Sequence, residues 1–189
     1  MNVLNNIWLA LSTPNETLIS IFSIPFIFLI EMPLSFYLIC NLLNIQYTKK
    51  VKYIYIISTA IIAVFANYCM SWPYNILFNY ATTFIVLFFV MKLGFTKSTI
   101  ATLFPSIVFN LVGILLANPY LDLLNITYEQ NNSIFIYRVP FNLLTYLIVF
   151  ILILILKYRK VTLNILEDFD KKTKSIITIN FVFGFITIF

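Results

Sequence analysis

Histidine is absent from all 189 residues. The chain therefore has no side chain whose ordinary pKa suits proton transfer at neutral pH. It also has no histidine metal ligand and no phosphoacceptor histidine of its own. Glycine is nearly as rare: Gly94, Gly113 and Gly184 are the only three, none near another. A Walker A loop or a G-x-G phosphate cradle needs clustered glycines and is excluded. The two cysteines, Cys40 and Cys69, form neither a CxxC pair nor the start of a metal cluster. No catalytic residue, metal site or cofactor is expected in this chain. Charge is scarce as well, at 10% of residues against about 25% in soluble domains. What fills the space is apolar: hydrophobic residues make up 61% and mean hydropathy is +0.96. A soluble chain of this size has no interior large enough to hide that surface, so a water-soluble enzyme is excluded and a polytopic membrane protein remains.

A helix needs about 20 apolar residues to cross the ~30 Å hydrocarbon core. Five runs qualify: Leu18–Leu42, Val51–Met70, Tyr74–Met91, Ser98–Ala117 and Ile136–Leu156. They are continuous rather than alternating, which favours helices over barrel strands. A sixth run, from Ser175 to Phe189, has fifteen residues, or ~22 Å of helix. It reads as an incomplete span, as if the chain were a piece of something longer. The expected fold is an all-α polytopic membrane helix bundle: five full transmembrane helices plus an incomplete sixth, with the N-terminus outside. One membrane domain, 1–189, holds everything, with 157–174 as a cytoplasmic linker and 175–189 as the truncated helix.

The orientation follows from lysine and arginine, which are retained on the cytoplasmic side. The first sixteen residues carry neither. Alternate loops hold Lys49, Lys50 and Lys52, then Lys92 and Lys97, then Lys157, Arg159, Lys160, Lys171, Lys172 and Lys174. The opposite side has Arg138 alone. The net charge of +5 thus belongs to cytoplasmic loops and not to a nucleic-acid surface. The N-terminus lacks the basic start and small-residue cleavage site of a signal peptide. Ile7, Trp8, Leu9 and Leu11 are expected at the outer surface, with Trp72 at the same level. The wealth of Ile, Phe, Tyr, Asn and Lys matches AT-rich codons, so a multi-pass protein of a bacterial cytoplasmic membrane is expected.

The polar residues inside the spans are few. Glu31 is the one acid well within a run, where a carboxylate is a functional candidate by default. Pro25 and Pro33 flank it and open the local backbone. Counting from the expected topology, Asn67, Asn75, Asn79, Asn110, Arg138 and Asn142 all fall in the outer halves of their helices, whereas Leu147–Leu156 is wholly apolar. Two readings stand side by side. One is a cavity open to the outside that receives an amphipathic or apolar ligand, with Glu31, Asn75, Asn79, Asn110, Arg138 and Asn142 as candidate contacts. The other is hydrogen bonding between helices. Arg138 is offered three roles: a pair with Asp122 or Glu129, a fork for a ligand carboxylate, or snorkelling at the interface. Cys40 and Cys69 are placed at opposite ends, which forbids a disulfide. The segment Asn118–Gln130 is expected as an outer loop. In the linker, Val161, Ile165, Leu166 and Phe169 share one helical face, suited to the inner leaflet or to docking a cytoplasmic domain.

The segment Asn118-Pro-Tyr-Leu-Asp-Leu-Leu-Asn-Ile-Thr-Tyr-Glu129 is followed by Tyr137-Arg138-Val-Pro140, by Lys157-Tyr-Arg-Lys160 and by Leu166-Glu-Asp-Phe-Asp-Lys-Lys172. Together these resemble the membrane sensor region of clostridial Agr-type sensor histidine kinases of the GHKL class. The resemblance covers roughly the second half of the chain and rests on helix pattern and loop character. It implies an N-terminal bundle of six or seven helices that senses an extracellular signal, often a small cyclic peptide. It also implies a homodimer and a cytoplasmic kinase part that this chain lacks. The competing expectation is the membrane subunit of a small-molecule transporter, against which the scarcity of Gly and Ala for helix contacts counts. An intramembrane enzyme would need a catalytic partner for Glu31, and none is evident.

Overall fold

The computed structural model describes residues 3–71 and 73–162, together with residues 173, 175, 176, 178–180 and 182. It is helical, without a named strand among the described residues. Among the described residues the named α-helices, in order, are α1 (Val3–Ser12), α2 (Glu16–Phe26), α3 (Met32–Leu42), α4 (Lys49–Cys69), α5 (Tyr74–Phe89), α6 (Phe95–Leu124), α7 (Tyr128–Ser133) and α8 (Phe135–Arg159). A π-helical turn, Ile27–Glu31, joins α2 to α3. Hence Thr17–Leu42 runs as one apolar rod of 26 residues. The turn sits between Pro25 and Pro33, the two residues that cannot donate a backbone bond. The ladder widens there, and the amide of Met32 reaches the carbonyl of Ile27.

Local chemistry sets the helix ends. The side chain of Asn15 accepts from the Leu18 amide at 2.9 Å and Thr48 accepts from Val51 at 3.3 Å, starting α2 and α4. Thr127 and Gln130 form a reciprocal capping box on α7. Asn125 closes α6 in the left-handed conformation, with φ of 52°, a backbone state that asparagine tolerates better than most residues.

Among the described residues, four helices are long and apolar enough to cross a membrane: Thr17–Leu42, α4, α6 and α8. The expectation of five full spans is therefore met only in part. Helix α5 has 16 residues, ~24 Å, because the chain turns at Lys92, whose φ is 54°; hydropathy alone carried the run on to Met91. The segment Asn118–Gln130 is not the expected open loop. Helix α6 continues through Pro119 for 30 residues in all and is followed almost at once by α7. Residues 175, 176, 178–180 and 182 of the sixth run are helical, as is residue 173 of the linker. The rest of that run, most of the linker with Ile165, Leu166 and Phe169, and Trp72 lie outside the described residues. Helix α1 leaves Ile7, Trp8 and Leu9 more than half exposed, as an apolar helix lying along the bundle would.

Helices α4, α5 and α6 pack consecutively, while α3 touches α4, α6 and α8 and closes the bundle. Apolar side chains gain little from leaving lipid, so contact depends on close packing and small residues. Ala60, Ala63 and Ala66 supply that on α4; all three are buried, and Ala60 and Ala63 pack against Ile27 and Phe28. Few as the alanines are, they stand where two helices meet. Helix α8 has two faces. Leu143, Leu147, Phe150, Ile151 and Leu154 are exposed, a stripe suited to lipid. Thr145, Val149 and Ile153 are buried inside.

The two ends of the bundle differ. At the end that carries Lys49, Lys50, Lys52, Lys92 and Lys97, the residues Phe36, Ile39, Cys40, Tyr55, Leu87 and Ile100 form a buried core. Lys52 donates to the Tyr37 hydroxyl and lies over the Tyr37 ring, 4.7 Å from its centroid. Phe36 and Tyr47 meet edge to face at 4.7 Å. A second cluster, Leu34, Leu38, Val108, Val149 and Ile153, carries the packing toward mid-bundle. At the opposite end, the start of α2 is clasped to the α7–α8 junction: the Asn15 amide donates to the Ser133 carbonyl at 2.9 Å, and Pro14 bridges to Ile134.

Candidate functional site

The lysine-poor end contains a half-enclosed cavity of about 720 Å³. Its walls come from α2 and the π-turn, the far end of α4, α6, α7 and the first half of α8. Helix α8 supplies the longest wall. Arg138, Asn142, Thr145 and Tyr146 fall at i, i+4, i+7 and i+8, which is one face of a helix, and all four line the cavity. Helix α6 opposes it with Phe109, Asn110 and Gly113. A Cβ added at Gly113 would meet nothing within 4 Å. The glycine is thus part of the open space and not a helix-contact residue.

Glu31 closes the base. The π-turn ends on it, and the Tyr146 hydroxyl donates to its Oε2 at 3.3 Å. The Phe109 ring meets Tyr146 edge to face at 5.9 Å, fixing the phenol from the side. A smaller cavity of about 260 Å³ lies beyond, lined by Glu31, Ser35, Asn79, Tyr80, Ser106 and Asn110 among others. Glu31, Phe109 and Asn110 belong to both cavities and form the partition between them.

Arg138 sits one helix face up from Tyr146. Its guanidinium donates to Oδ1 of Asn132 on α7. The expected acid partners are replaced by this amide: among the described residues, neither Asp122 nor Glu129 pairs with Arg138. Pro140 interrupts the α8 ladder just below. The Tyr120 hydroxyl donates to the Tyr137 carbonyl at 2.8 Å, holding the interrupted turn against α6.

Of the six residues singled out in the sequence, the structure brings four to the main cavity: Glu31, Asn110, Arg138 and Asn142. Asn79 lines the smaller one. Asn75 lines neither; its Oδ1 accepts from the Ile76 amide at 2.8 Å, within the first turn of α5. The sequence reading missed Tyr146, Thr145, Asn132, Tyr80 and Ser106. It weighed charges and the amides within the apolar runs, and passed over hydroxyls and over Asn132, which lies between the runs. The usable signal was the i, i+4, i+8 spacing of Arg138, Asn142 and Tyr146. Cys40 is buried in the core of the lysine-rich end and Cys69 is exposed at the other end of α4. Among the described residues, no three Cys, Asp or Glu side chains gather where a metal ion would sit.

The cavity presents a cationic group near its mouth, a carboxyl at its base, and amides and aromatic rings between. Such a surface combines polar and apolar groups around one open space. No family model, curated protein or solved structure matches this chain.

Proposed function

We propose that this chain is the signal-receiving membrane domain of a two-component sensor histidine kinase. It would sit N-terminus outward in a bacterial cytoplasmic membrane, with α5 and the sixth apolar run as further crossings, and work as a homodimer. In this reading an extracellular, peptide-like signal enters the cavity between α2, α6 and α8. Occupancy then favours one arrangement of the bundle over another. Helix α8 passes the difference to Lys157, Arg159 and Lys160 and on to a cytoplasmic kinase that is not part of these residues. The observation that carries the reading is the position of the cavity. It opens at the end remote from the lysines, which is the outer end by charge. The kinase assignment rests on the resemblance of the second half of the chain to Agr-type sensors.

The test is a chimera in which this chain replaces the membrane part of a known GHKL kinase. Peptides from spent culture medium of the source cell are expected to change autophosphorylation. Gly113→Phe, which fills open space, is expected to abolish the response while leaving expression and basal phosphorylation unchanged. A chimera indifferent to the peptide fraction overturns the sensor reading.

The two cavities that meet at Glu31, Phe109 and Asn110 favour one second reading, the membrane subunit of a small-molecule transporter. There the partition would be a gate. Uptake of labelled short peptides into vesicles that contain the chain, abolished by Gly113→Phe, would favour transport over sensing.

A further inference from the structure

Glu31 is the residue that the cavity leaves without a countercharge. Its hydrogen-bond partner is the Tyr146 hydroxyl, a neutral donor. Among the described residues, the one basic side chain in the cavity wall is Arg138, whose guanidinium is turned to Asn132 on α7. Arg138 and Tyr146 are two turns apart on α8, ~12 Å along the axis. The cavity is therefore polarised: a fixed cation and amides near the mouth, and a carboxyl ringed by aromatic groups at the base. The Tyr146 hydroxyl bonds to Glu31, the Phe109 ring meets Tyr146, and all three residues line the cavity. A carboxylate with adjacent aromatic rings is the surface that recognises an ammonium group.

We infer that the cavity binds a short linear peptide with its free amino terminus at Glu31 and its carbonyl or carboxylate end at Arg138 and Asn142. This inference rests on the reading of the chain as a receiver of peptide-like molecules and specifies the chemistry of the molecule received. The axial rise of ~12 Å from Arg138 to Tyr146, the hydrogen-bond partner of Glu31, is comparable with three to four extended residues at ~3.3–3.6 Å each. A volume of about 720 Å³ accommodates a ligand of that size. The ammonium displaces or shares the Tyr146 hydrogen bond, and the Asn142 amide and Arg138 donate to the oxygens of the acceptor-rich end.

The experiment measures direct binding by the full chain in lipid nanodiscs, independent of any kinase. The probes are the tripeptide Leu-Phe-Leu, its N-acetyl form and its C-terminal amide, each followed by equilibrium dialysis. The free tripeptide is expected to bind. N-acetylation, which removes the ammonium, is expected to weaken binding about tenfold or more. Amidation is expected to weaken it less. Glu31→Gln is expected to erase the discrimination between free and acetylated tripeptides. Arg138→Gln is expected to erase the discrimination between acid and amide while keeping that between amine and acetyl. Equal binding of free and acetylated tripeptides to the unaltered chain overturns the inference, as does unaltered discrimination in Glu31→Gln. Failure of all three probes to bind also overturns it. In any of these cases the sensor reading stands or falls separately, on the response of the chimera to culture peptides.

Discussion

The two ends of this bundle use the same helices for opposite purposes. At the lysine-rich end the inward positions are large and apolar, and Phe36, Ile39, Leu87 and Ile100 are essentially closed to any probe. At the other end the π-turn, α6 and α8 carry Glu31, Asn110, Gly113, Arg138 and Asn142 around open space. In lipid, burying an apolar side chain in protein gains little over leaving it in hydrocarbon, so close packing is the main source of adhesion. The filled end therefore holds the bundle together. The hollow end gives up packing, and its polar groups satisfy one another only in part. The comparison assigns stability to one end and recognition to the other, and it is open to direct attack.

The largest expected effect tests the filled end. Phe36 is fully buried and touches Tyr37, Tyr47 and Tyr55. Phe36→Ala removes these ring contacts and leaves a void, at a cost of about 3–5 kcal/mol. Asn142→Ala, on the cavity wall, is expected to cost under about 1 kcal/mol. Thermal unfolding of both variants in the same detergent gives the contrast. Equal losses would mean that the hollow end is as structural as the filled one.

An intermediate effect tests the partition. Tyr146→Phe keeps the ring against Phe109 and removes only the hydroxyl that bonds to Glu31. Hydrogen bonds between membrane helices average ~0.6 kcal/mol with a maximum of ~1.7, so stability is expected to fall by about 0.5–1.5 kcal/mol. Because Glu31 is then freed, tripeptide binding in nanodiscs is expected to hold steady or tighten. A loss of binding beyond tenfold would make the phenol itself a ligand contact.

Sequence and structure agree most where charge and hydropathy act over whole segments. The lysines mark one end of the bundle, and the amides Asn79, Asn110 and Asn142 with Glu31 and Arg138 mark the cavities, because an unpaired polar group in lipid is expensive wherever it stands. What the sequence did not reveal depends on details of single turns. The fourth apolar run ends at Ala117, yet α6 continues through Pro119, which forfeits only one backbone bond. The real stop is Asn125, which takes the left-handed conformation while its amide and that of Ile126 reach back to Asp122 and Leu121. Lys92 turns the chain after α5 by the same conformation, which no hydropathy window registers. Tyr146 was hidden by its apolar body: its hydroxyl matters only because the π-turn places Glu31 opposite, 115 residues away in sequence.

The smallest effect separates two asparagines one turn apart on α5. Both were read alike from the sequence, since both fall near the same end of the same helix. The structure parts them: Asn79 faces the smaller cavity beside Ser106 and Asn110, whereas Asn75 folds onto the amide of Ile76 in the first turn. Asn75→Ala removes a local bond at a helix start, where the freed amide remains close to the aqueous boundary, and is expected to change stability by less than about 0.5 kcal/mol. Tripeptide affinity should not move. Asn79→Ala enlarges the space behind the Glu31 partition and removes an amide from it, so a small but measurable change in affinity, about twofold to fivefold, is expected without a matching loss of stability. If Asn75→Ala shifts binding as much as Asn79→Ala, the hollow end recognises its ligand through the whole α4–α5 corner and not through the two cavities that share Glu31.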